Sequence, residues 1–160
     1  MKTNKSDSGR SLLEALLYIS LVGVMVVASV KMYSDYNQKI KRTKAQDQLE
    51  EISSKVNSIY FGKKMPAPGT PLNQKLIENS VNLKDPWGKD INVISNHAEK
   101  KEYNYYISMS LDKTNCIYLA MNVISKVAEP TINNIVEGEK DPLVNCNQDV
   151  NTVNFHYTTK

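Results

Sequence analysis

The chain has 160 residues, and 20 lysines and arginines against 17 acids leave a net charge of +3 at pH 7. That charge is modest and dispersed, so composition makes no case for a nucleic-acid partner. A single pair of cysteines, Cys116 and Cys146, reads as one disulfide in an oxidising compartment and not as a metal site.

In chain order, a polar leader, MKTNKSDSG, precedes about 20 almost unbroken apolar residues from Ser11 to Val30. As a helix that run spans roughly 30 Å, the thickness of a bilayer's hydrocarbon core. The leader is too short and the run too long for an ordinary cleaved secretory signal, and no small-residue cleavage site follows, so the span stays with the protein. Glu14 is the residue that does not belong, because a lone carboxylate in lipid needs a partner or a job. One reading is local: Ser11-Leu12-Leu13-Glu14 spells a capping box, which starts the helix at Ser11 and keeps Glu14 at the membrane surface.

From Lys31 to about Tyr60 no proline or glycine interrupts the chain, and one helix of about 50 residues is expected. Ala45, Leu49, Ile52, Val56 and Ile59 follow a 4-3-4-3 spacing, a stripe for packing on the rest of the chain or, alternatively, for a coiled-coil dimer. Lys39, Lys41, Arg42 and Lys44 read as a solvated helix face within reach of anionic headgroups. Residues 65–71, MPAPGTP, break the helix and are expected to form a linker. Asn73 to Asn79 follows as a short helix, then the turn Asp85-Pro86-Trp87-Gly88, whose indole is an apolar anchor. Strands are expected at Ile91–Ile94, Tyr103–Leu111, Ile132–Glu137 and Asn151–Thr158, with a second helix from Cys116 to Ile124 and a turn from Glu137 to Pro142. A Cys116–Cys146 bridge closes a loop of about 30 residues, worth roughly 3–4 kcal/mol in the loop-entropy picture.

The basic leader, Gly9, a glutamate five residues further on and the apolar run together resemble the prepilin signal of the type IV pilin superfamily. In that family a membrane peptidase cuts after the glycine, the new amine is methylated, and the apolar helices bundle into a filament. Carried over, the cut falls between Gly9 and Arg10, Arg10 becomes the methylated first residue, and Glu14 meets the amine of a neighbouring copy to fix the stagger. The turn Asp85-Pro86-Trp87-Gly88 is similar to the Asn/Asp-Pro-Trp-Gly turn of pseudopilins and type IVb pilins. The layout of Cys116 and Cys146 is similar to the disulfide-bounded region of type IVb pilins. Three departures stand beside these matches. Arg10 replaces the family's usual apolar or aromatic residue, Lys31 stands where a proline is frequent, and the leader is shorter than is usual in the type IVb branch.

The resemblance implies an α+β pilin fold, with a long N-terminal helix on a small antiparallel sheet of about four strands and one disulfide. The implied divisions are a removed leader (1–9), a transmembrane and filament-core helix (10–30), its amphipathic half (31–62) and a globular domain (63–160). The implied function is structural, not enzymatic: a pilus for attachment, aggregation or conjugation. The alternatives are a type II secretion pseudopilin and a single-span periplasmic binding protein. The implied partners are other pilin subunits as a helical homo-oligomer, the prepilin peptidase, the inner-membrane assembly machinery and, before assembly, lipid. The C-terminal part would face the periplasm and later the cell exterior. A positive-inside count points the other way, because Lys31 and Lys39–Lys44 follow the span; the cysteine pair outweighs it here.

No cofactor or metal is expected. His97 and His156 lack metal-ligand spacing and read as surface residues, in a loop and an edge strand. Glu137, Glu139, Asp141 and Asp149 are the oxygen ligands a calcium ion would need, but their spacing matches no calcium loop. There is no glycine-rich phosphate loop, G-x-S-x-G or H-E-x-x-H.

Overall fold

The structure, a computed structural model, describes residues 7–96, 104–123, 128–132 and 145–158. The chain forms two compact units, Met1–Ile40 and Lys41–Lys160, and the first helix contributes to both. That helix, α1, runs from Asp7 to Tyr60. It therefore begins ahead of Ser11, so Ser11 lies inside the helix and does not cap it, and the capping-box reading is set aside. In the first unit the large apolar side chains from Leu12 to Tyr36 are all exposed, at 54–74%. Among the described residues, α1 is the one helix long and apolar enough to cross a membrane.

In the second unit the stripe predicted from spacing is the core-facing side of α1. Ala45, Leu49, Ile52 and Val56 are at most 1% exposed and join one hydrophobic core with the sheet. The stripe is consumed by its own domain, so it is not a coiled-coil seam. Past Tyr60, Gly62 adopts a left-handed φ of 66° and the Lys63 amide donates to the Tyr60 carbonyl, which ends the helix.

The sheet has four antiparallel strands: β1 (Asn92–Ser95), β2 (Tyr105–Leu111), β3 (Ala128–Ile132) and β4 (Asn151–Tyr157), in the order β1-β2-β4-β3. Alternation in β2 and β4 sends Tyr105, Ile107, Met109 and Leu111 inward opposite Tyr157, Phe155, Val153 and Asn151. The short helix α2 (Asn73–Glu78) adds Leu76 to the core, and α3 (Lys113–Val123) adds Cys116, Leu119, Ala120 and Val123.

Three expectations change. The third strand starts at Ala128 and not at Ile132, and of the expected Ile132–Glu137 the residues after Ile132 lie outside the described residues. Ala128, Thr131 and Ile132 pair with His156, Asn154 and Val153, and an irregularity between Ala128 and Thr131 accommodates Pro130, which has no amide hydrogen to donate. Residues 133–144, including the expected turn at Glu137–Pro142, lie outside the described residues. His156 sits on an inner strand, because β4 lies between β2 and β3. Residues 65–71 are not a free linker. The Gly69 amide donates to the Ser95 carbonyl, the Ser95 amide to the Thr70 carbonyl and the Leu72 amide to the Val93 carbonyl, so this segment lines the outer edge of β1. Ser95 adds a hydroxyl bond to the Pro66 carbonyl, and Met65 is buried.

Candidate functional site

Glu14 is exposed on α1. Ser20 and Ser29 within the span donate their hydroxyls to the Leu17 and Met25 carbonyls, each at 2.8 Å, and so are satisfied by their own helix. Of the polar side chains in 11–30, that leaves Ser11, Glu14 and the Tyr18 hydroxyl. Gly9 and Arg10 fall within the helical range of α1. Arg10 and Glu14 are separated by roughly 6 Å along the axis, about one turn.

In the second unit the turn Asp85-Pro86-Trp87-Gly88 is built around one carboxylate. Asp85 Oδ1 accepts from the Trp87 amide at 2.9 Å and the Lys89 amide at 2.8 Å. The Asp85 carbonyl accepts from the Gly88 amide, and the Asp85 amide donates to the Lys89 carbonyl. Gly88 has a φ of 88°, which a residue with a Cβ takes only under strain. Trp87 is half-buried and packs on the core. Asp85 itself is 5% exposed, and among the described residues its Oδ2 has no hydrogen-bond partner. The turn is thus a rigid corner between Leu83 and Ile91, whose carbonyl and amide are bonded to each other.

Cys116 and Cys146 are bonded, with Cα atoms 5.9 Å apart and both residues fully buried. The bridge ties the first turn of α3 to the segment just before β4. Asp112 caps that turn: its Oδ1 accepts from the Asn115 amide at 2.9 Å, and its Oδ2 accepts from Asn115 Nδ2. Asn115 in turn receives a 2.8 Å bond from Arg42 Nε, and the Arg42 guanidinium lies 4.8 Å from the Tyr118 ring centroid. Arg42 is therefore a clasp between α1 and α3, not a solvated cation like exposed Lys44. The Asp112 cap was readable as an aspartate ahead of a helix. Arg42 and Asn115, 73 residues apart, carry no local signal.

His156 is half-buried, with Nε2 3.0 Å from Thr131 Oγ1 and its ring 5.7 Å from that of Tyr106. His97 lies outside the described residues, as do Glu137, Glu139 and Asp141; Asp149 is exposed. Among the described residues no group of three metal-ligating side chains forms. No protein-family model matches this chain, and no curated protein matches it.

Proposed function

We propose that this chain is a structural subunit of the type IV pilin class, released from its leader between Gly9 and Arg10 and polymerised through α1. The observation that carries the reading is the two-part character of one helix. Its first part is apolar and exposed on every side, while its second part is buried in a small disulfide-bonded domain. An apolar rod of that kind is stable only in lipid or among other such rods. Bundling copies would move it from the first environment to the second without exposing it to water. Glu14 then has a role: the new Arg10 amine of a neighbouring copy neutralises it within the bundle.

In this reading the second unit coats the filament in the periplasm and outside the cell, as in a IVb-like pilus for attachment, aggregation or conjugation. The prepilin peptidase hydrolyses the Gly9–Arg10 bond, and the inner-membrane assembly machinery adds the subunit. The test is the intact mass and N-terminal sequence of the protein from its own host, in membranes and in the fraction sheared from the cell surface. A chain beginning at Arg10 in both fractions supports the pilus. The same processed chain confined to the membrane fraction, with no surface filaments, supports the type II secretion pseudopilin. A chain still beginning at Met1 overturns the class and favours a single-span membrane protein with a periplasmic binding domain.

A further inference from the structure

One stretch of the second unit carries positive charge alone. From Ile52 to Ile77 the chain holds Lys55, Lys63, Lys64 and Lys75 and no aspartate or glutamate, although it has 17 acids in all. The fold gathers three of these lysines, all exposed, at the end of α1. Lys63 and Lys64 follow directly on the left-handed turn at Gly62, where the Lys63 amide bonds to the Tyr60 carbonyl. Lys75 comes from α2, with Nζ 5.4 Å from the centroid of the Tyr60 ring. Among the described residues no carboxylate pairs with any of the three. Glu78, the first acid after the stretch, accepts instead from Gln74 Nε2 at 3.3 Å. Beside them Phe61 is 75% exposed, the barest large apolar side chain among the described residues of the second unit. The negative end of the α1 dipole accounts for a cation just past Tyr60. It accounts neither for the third lysine nor for a bare ring among them.

We propose that this patch binds an acidic polysaccharide, with Phe61 against the apolar face of one sugar ring and Lys63, Lys64 and Lys75 on the carboxylates of that ring and its neighbours. The proposal rests on the functional reading above for its setting, a subunit that ends up outside the cell, and gives attachment there a partner of stated chemistry. A pyranose ring offers a face of C–H groups that packs on one aromatic ring, and one is what the patch exposes. A nucleic-acid strand calls for successive aromatic platforms and for arginine forks on its phosphates; the chain's arginines, Arg10 and Arg42, lie elsewhere in the sequence. A lipid surface calls for several apolar side chains together, whereas Phe61 is followed by Gly62, two lysines and buried Met65. The lack of acids from Ile52 to Ile77 spares a polyanion the repulsion it would meet elsewhere on the chain.

The test uses the full chain in a non-ionic detergent and immobilised polygalacturonate as the probe, with neutral dextran, polyaspartate and single-stranded DNA beside it. The chain should bind polygalacturonate, pass over dextran, and lose the binding as salt rises from about 0.05 M to about 0.5 M. Phe61→Ala should weaken binding to polygalacturonate roughly fivefold and leave any binding to polyaspartate unchanged. Lys63→Gln combined with Lys64→Gln should weaken it roughly tenfold, and Lys75→Gln alone roughly threefold. All four side chains are exposed, so the variants should fold, which circular dichroism and the fluorescence of Trp87 check. Lys84→Gln, outside the patch, should bind like wild type. No binding overturns the proposal, as does binding lost equally in Lys84→Gln. Dextran, polyaspartate or single-stranded DNA held as tightly as polygalacturonate overturns it too. The readout does not depend on leader removal. A chain that binds through these residues but still begins at Met1 upholds the patch and defeats the functional reading; a processed chain that does not bind does the reverse.

Discussion

Alkaline pH should weaken the second unit through two tyrosines. Tyr105 and Tyr157 are paired across β2 and β4, with stacked rings whose centroids are 5.3 Å apart. Burial pushes the Tyr105 hydroxyl up to about 12, partly countered by its bond to Ser53. Burial pushes Tyr157 higher still, and the charges of ionised Tyr105 and of Glu50 add to it. Unfolded, both hydroxyls titrate near 10. The fold therefore holds protons that the unfolded chain has released. Their contribution is complete below about pH 10 and is lost as pH rises through the interval to 12. The slope is about 1.4 kcal/mol per pH unit per tyrosine, so Tyr105 alone accounts for about 3 kcal/mol across that interval. The assay is urea unfolding of the detergent-solubilised chain, followed by the fluorescence of Trp87, its one tryptophan. Wild type is compared with Tyr105→Phe and Tyr157→Phe between about pH 8 and about pH 11.5, a range set by the tyrosine titration. Each variant should lose less stability over that range than wild type, whatever its stability at the lower pH. Equal losses would refute the argument, because lysine titration is common to all three chains.

Three further outcomes follow from the same packing. Arg42→Ala should cost about 1–2 kcal/mol in the same urea assay through the lost Asn115 bond and Tyr118 contact, and Lys at that position should not restore it. Gly88→Ala should cost about 1–2 kcal/mol through φ alone, since an added Cβ meets nothing within 4 Å; Asp85→Ala should cost a similar amount by freeing the Trp87 and Lys89 amides. Replacing both Cys116 and Cys146 by serine should cost roughly 3–4 kcal/mol, and the intact bridge, fully buried, should resist mild reductant until denaturant opens the domain.

What the sequence made legible was whatever a short window encodes. The 4-3-4-3 stripe of α1 told where the helix packs because helical periodicity is local. The alternation of Tyr105 to Leu111 and Asn151 to Tyr157 likewise named two strands and their inward faces. Residues 65–71 misled because proline and glycine report a helix stop truthfully and say nothing of what the segment then leans on. Its partners, Val93 and Ser95, lie more than twenty residues away. The start of the third strand was missed because Glu129 and Pro130 disfavour a strand locally, and pairing with β4 overrides them. In the candidate site, the disulfide and the Asp85 turn were readable. The Arg42 clasp was not, since a cation in a basic run looks solvated until Asn115 and Tyr118 are set beside it.

The two outer strands bear on how copies of this chain can and cannot join. A sheet with bare edges invites lateral strand addition, the route to amyloid, and crowding identical domains together makes that hazard acute. Here the outer edge of β1 already spends its hydrogen bonds on residues 69–72. The other edge strand, β3, carries a proline and a break in register. Neither strand offers a long regular ladder to another chain. Lateral addition of a further strand is thereby disfavoured at both described edges of the sheet.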